Sequence, residues 1–136
     1  MSEQRLRWDG DLRFEGRDSG GHRIAIGGEP DGAGAKASDL LPLSLAACAV
    51  HDVVVILRKQ RQDLRGLEVR IDSHQGQHPP WPFEAIRLRM IVSGDVDPVK
   101  ARRALDLSMS KYCAVFATLS PTVRIETEVE VPDHTG

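Results

Sequence analysis

Two cysteines, Cys48 and Cys113, are the side chains here best suited to covalent chemistry. Cys48 lies in the run LAACAVHD and Cys113 in SKYCAVFATL. A thiol walled by Leu and Ala can be a silent small hydrophobe. It becomes a nucleophile where a cation or a helix N-terminus lowers its pKa. His51 follows Cys48 by three residues, which places both on one helical face. A protonated His51 would favour the thiolate. Alternatively, His51 bonds a backbone carbonyl or Asp52 in the core. No triad spacing accompanies either cysteine.

Other chemistries find less support. Cys48, His51, Asp52 and His22 are the residues a metal could draw on, but no C-x-x-C pair occurs. Neither a metal nor a cofactor is expected. The stretch GGEPDGAG, residues 27–34, lacks the Lys-Ser/Thr of a phosphate loop. Trp8 and Trp81 could line a pocket for an apolar ligand, or serve as isolated packing residues.

The elements that must position these residues follow from periodicity. Residues 5–14 and 22–27 read as strands, joined by a reversal over 15–21 where Gly16, Asp18, Gly20 and Gly21 gather. The Gly-rich stretch 27–37 reads as a loop. Ser38 or Asp39 then caps a helix that runs to about Gln62, with Pro42 in its first turn. This helix is apolar nearly all round at first and is expected to be buried on most sides. Leu67, Val69 and Ile71 alternate with charged residues, as do Ile86, Leu88 and Met90, so two strands with one wet face follow. The three prolines of residues 73–82 mark a loop between them. Asp97 caps a second helix with Pro98 at its first position, and Ser-Met-Ser-Lys at 108–111 predicts a break near Ser110. The alternation over 122–131 gives a last strand.

The order is β-β-α-β-β-α-β in a single domain, residues 1–136, of the α+β class. One small sheet cannot cover so apolar a first helix. A homodimer is expected, with two such helices sharing a core between two antiparallel-rich sheets.

Composition narrows the partners. The 136 residues carry 18 Lys and Arg against 20 Asp and Glu, so no strong basic field is present and nucleic acid is not expected. The apolar run Leu40–Leu57 holds His51 and Asp52 near its middle, which suits a buried helix better than a membrane span. The N-terminus MSEQRLRWDG has no apolar signal core, so a cytoplasmic location with reduced thiols is expected.

Several motifs together resemble the OsmC/Ohr family, the osmotically inducible protein C and organic hydroperoxide resistance group. They are W-x-G-x-L-x-F at 8–14, S-G-G-H at 19–22, S-D-L-L-x-L-S-L-A-A-C at 38–48, H-D-V-V-V-I-L-R-K at 51–59 and L-S-M-S-K-Y-C-A-V-F-A-T-L at 107–119. The likeness spans nearly the whole chain and is strongest to the shorter OsmC-like members. It implies an intertwined homodimer, with two central helices back to back and active sites at the subunit interface. It also implies a thiol peroxidase. Cys48 would attack an organic hydroperoxide and become a sulfenic acid, and Cys113 would resolve it as a disulfide. A dithiol, lipoyl or other, would then reduce that bond.

Ohr-type members carry a Glu ten positions before the first cysteine. Here that place is Ser38, and Asp39 is the nearest acid. Asp39 either substitutes for the Glu or charge-matches the helix start. The family also holds its thiolate with an N-terminal arginine, for which Arg17 is the first candidate, ahead of Arg13 and Arg23. His51, Trp8 and Tyr112 are the expected substrate-pocket residues. The alternative is a non-catalytic member that binds a small apolar molecule at the dimer interface.

Overall fold

The computed structural model describes residues 1–29 and 32–134. The chain forms two compact units, residues 1–41 and 42–136. The observed order is β-β-β-α-β-β-α-α-β: the first predicted strand is a hairpin, and the second helix is interrupted.

The first unit is an antiparallel meander of β1 (Arg5–Trp8), β2 (Leu12–Arg17) and β3 (Arg23–Glu29). The expected single strand over 5–14 folds back at Asp9-Gly10-Asp11, where Gly10 has φ 89° and Asp11 φ 48°. The Trp8 indole N–H closes this turn on the Asp11 carbonyl at 2.8 Å. The second reversal is tighter than expected and starts at Asp18. The Asp18 carboxylate accepts the backbone N–H groups of His22 at 2.8 Å and Gly20 at 2.9 Å. These bonds, that of His22 foremost, hold the Asp18 carboxyl below its ordinary pKa. Past β3, the described part of the Gly-rich loop is tied to the sheet. Gly27 donates to the Ala35 carbonyl at 2.7 Å, and Ala35 to that of Ala25 at 2.9 Å. Gly27 has φ 79°, and a Cβ there would run into the Leu12 carbonyl, so only glycine fits.

A 3₁₀ turn, Ala37–Asp39, leads into α1 (Leu40–Lys59). Ser38 and Asp39 therefore lie inside a helical turn instead of capping one. The helix also stops three residues before the expected Gln62. Arg61 takes φ 56°, and the N–H groups of Arg61 and Gln62 turn back to the carbonyls of Arg58 and Leu57. This is a Schellman ending with an arginine where glycine is usual, so no glycine marks it in the sequence.

In the second unit, β4 (Gly66–Gln75) runs antiparallel to β5 (Phe83–Ser93), and β6 (Arg124–Glu130) pairs parallel with β5. β4 absorbs Ser73–Gln75, expected in the loop, so Pro79, Pro80 and Pro82 bunch in the short connection that remains. One sheet face presents Ile86, Leu88, Met90 and Val92, all at most 2% exposed, while Arg87 and Arg89 face water or its edge. Leu45, Ala49, Val53 and Leu57 of α1 join the same core, with Ala101, Ala104 and Leu105 of α2 (Pro98–Leu107). Asp97 caps α2 as expected, accepting the Val99 N–H at 2.9 Å. A π turn, Ser108–Tyr112, follows, and then α3 (Ala114–Leu119).

Within one chain α1 is not covered on most sides. Pro42, Leu45, Ala46, Ala49, Val53 and Leu57 are buried, but Leu43 is 52% and Val55 38% exposed. The reason is geometric: one three-stranded sheet meets only one stripe of a helix. By length and composition alone α1 could cross a membrane, yet its buried stripe belongs to the core of this unit.

Candidate active site

Cys48 sits in the middle of α1, with its side chain partly exposed. Cys113 is 2% exposed and lies between the π turn and α3. Although 65 positions separate them in sequence, their side chains meet. Cys48 packs against the apolar cluster that holds Cys113, and hydrogen bonding with Cys48 is among the causes that raise the Cys113 pKa. The sulfur of Cys113 in turn accepts the Phe116 N–H at 3.3 Å, as the N-cap of α3.

Burial dominates the electrostatics of Cys113. Removal from water, and then the bond to Cys48, push its pKa from 9.0 to about 11. The backbone N–H groups of Phe116 and Val115 pull the other way and lose. At neutral pH Cys113 is therefore a thiol, which makes it the poorer of the two sulfurs for attack on a peroxide.

The turn that carries Cys113 is fixed to α1 by a residue the sequence reading passed over. Ser108 is 0% exposed, and its hydroxyl donates to the Ala49 carbonyl at 2.6 Å. Its own carbonyl accepts the Cys113 N–H at 2.8 Å. A signal existed. Ser108 falls at the fourth place of the series Ala101, Ala104, Leu105, Ser108, a core-facing stripe that a lone hydroxyl enters only with a partner.

The other expected residues lie as follows. The His51 side chain is 76% exposed, with Nδ1 at 3.5 Å from an Asp52 carboxylate oxygen, so it is not a core histidine. Tyr112 ends the π turn and is 60% exposed. Trp81 is exposed in the β4–β5 connection and Trp8 in the first unit. Asp39 is exposed in the 3₁₀ turn.

Three arginines of the first unit converge on Glu15, which the sequence reading also missed. Arg7 reaches it at 2.8 Å, Arg23 at 3.2 Å and Arg17 at 3.5 Å, around a Glu15 side chain only 12% exposed. Arg17 also donates to the Gly21 carbonyl at 3.0 Å. Arg13 lines the same face, at a cavity of about 300 Å³ shared with Arg7, Phe14, Glu15 and Arg23. This cavity belongs wholly to the first unit. As for metals, His74 and His78 carry an H-x₃-H spacing, but among the described residues no three His, Cys, Asp or Glu gather as donors.

The family profile described as OsmC-like protein matches residues 29–128. Protein YhfA of Escherichia coli strain K12 is 34% identical over 130 residues, covering 95% of this chain and 97% of YhfA. The chain belongs to the OsmC-like family. Among solved structures, a hypothetical protein from Aquifex aeolicus VF5 is similar to this OsmC-like chain with a TM-score of 0.87 and 27% identity, covering 96% of both chains. The organic hydroperoxide resistance protein OhrB of Bacillus subtilis shares the fold at a TM-score of 0.62 and 17% identity, covering 96% of this chain and 98% of that one. The α+β architecture expected from the residues and the OsmC/Ohr likeness thus both hold.

Proposed function

We propose that this OsmC-like protein is a thiol peroxidase acting on organic hydroperoxides in defence against oxidative stress. The observation that carries the reading is the contact between two unlike thiols: a partly exposed Cys48 against a sealed, protonated Cys113. The Cys48 thiolate attacks the O–O bond and becomes a sulfenic acid, and the alkoxide leaves and takes up a proton as the alcohol. Cys113 then condenses with the sulfenic acid, forming the Cys48–Cys113 disulfide and releasing water. An external dithiol reduces this bond and is itself oxidised to its disulfide. Cys48, Met109, Val115 and Phe116 belong to the apolar cluster, which favours an alkyl over a hydrogen peroxide substrate. The similarity to the Bacillus subtilis organic hydroperoxide resistance protein supports the same substrate class.

The roles of Arg17 as the cation for the thiolate, and of Asp39 in place of the family's Glu, rest on the resemblance alone. A cytoplasmic setting and a single-domain organisation complete the proposal. The exposed stripe of α1, with Leu43, Ala47 and Val55, supports a homodimer in which the two α1 helices cover each other.

The test is turnover of cumene hydroperoxide with a dithiol reductant. Wild type is expected to consume the peroxide and Cys48→Ser to be inactive. Equal rates for the two proteins reject the reading.

A further inference from the structure

We propose that Ser108 is the positioning residue that sets the Cys48–Cys113 pair, by clamping the π turn to α1 next to the first thiol. The contacts around Ser108 form a closed circuit. Cys48 precedes Ala49, whose carbonyl accepts the Ser108 hydroxyl at 2.6 Å. The Ser108 carbonyl accepts the Cys113 N–H at 2.8 Å. Cys48 in turn packs against the cluster that holds Cys113, and the two thiols interact. Two of these links cross between segments remote in sequence, and Ser108 supplies one of them while its carbonyl holds Cys113 within the turn.

The remaining constraint on Cys113 is local. Its sulfur caps α3 through Phe116. That bond does not refer Cys113 to α1. Among the described residues Ser108 is the only buried polar side chain, and it faces a helix backbone whose carbonyls already serve the helix. A buried hydroxyl is retained at a cost unless it is bonded, so its placement here does something an alanine would not. What it fixes is the distance from Cys113 to Cys48. A disulfide needs Cα atoms within about 7 Å, so small slippage of the turn removes the bond-forming geometry.

This deepens the peroxidase reading, on which its meaning for turnover rests, but its test needs no peroxide. Wild type, Ser108→Ala and Val53→Ala are each equilibrated in glutathione buffers of graded ratio. Oxidised glutathione takes two electrons from the pair and yields two reduced thiols as the Cys48–Cys113 disulfide forms. The bridged fraction is read by mass spectrometry of peptides. Loss of one buried hydrogen bond predicts an equilibrium constant for bridging about tenfold lower in Ser108→Ala than in wild type. Val53→Ala, a core truncation on the same helix that leaves the Ser108 hydroxyl in place, controls for general loss of stability and should bridge as wild type does. Equal bridging by wild type and Ser108→Ala overturns the proposal. So does an equal fall in both variants, or a wild type that never bridges. A wild type that bridges in glutathione and ignores cumene hydroperoxide sinks the peroxidase reading and leaves the Ser108 comparison standing.

Discussion

The backbone N–H of Phe116 donates to the sulfur of Cys113 at 3.3 Å, so a thiol does the work usually given to a serine or aspartate at a helix start. The same thiol interacts with Cys48, which raises its pKa after burial. Cys113 is thus held by α3 on one side and packed with Cys48 in one cluster.

This arrangement has an alkaline signature. Folded Cys113 binds its proton more tightly than an unfolded thiol, with a pKa raised from 9.0 to about 11. Its contribution to stability is whole below the lower value and is lost as pH rises toward the upper one. Urea midpoints measured through that window should fall more steeply in wild type than in Cys113→Ala. Parallel curves would show that burial does not hold the proton.

Removal of the second thiol should separate the two halves of the reaction. Cys113→Ser is expected to react once with cumene hydroperoxide and then stall, with Cys48 passing to sulfinic and sulfonic acids under excess oxidant. Mass spectrometry of the Cys48 peptide reads this directly. Sustained turnover by the variant would assign resolution to another thiol.

The outer stripe of α1 predicts the assembly. Leu43→Asp combined with Val55→Asp changes two exposed residues that lie outside the core of the chain. Sedimentation equilibrium should show a dimer for wild type and a monomer for the double variant. An unchanged mass would place any dimer contact elsewhere.

The Asp97 cap offers a stability measurement independent of the thiols. Asp97→Ala removes the 2.9 Å bond to Val99 and should cost about 1 kcal/mol, seen as a lower thermal midpoint with thiol reactivity retained. A loss several times larger would mean that the start of α2 supports more than its own first turn.

Much of this was readable before any coordinates. Asp97-Pro98 announces the start of α2, the alternation of Ile86, Leu88 and Met90 announces a half-buried strand, and the two cysteine motifs carry the family likeness. The failures share a cause. The turn at Gly10 hides inside a run whose Leu6, Trp8 and Leu12 read as one strand. The end of α1 at Arg61 depends on backbone conformation, not on a residue type that advertises it. Ser108 and Glu15 matter through partners. Ala49 lies 59 residues before Ser108, and the arginines around Glu15 come from three different strands. Single-residue propensities carry no trace of such meetings.

The π turn at Ser108–Tyr112 holds one residue more than a regular helical turn would. Each residue advances an α-helix by about 100°. Deleting one position there, with the composition otherwise intact, would swing Cys113 and all of α3 round to a different side. The meeting of Cys48 and Cys113 thus depends on a fault in helical phase, and a sequence that repaired the fault would keep both sulfurs and lose their acquaintance.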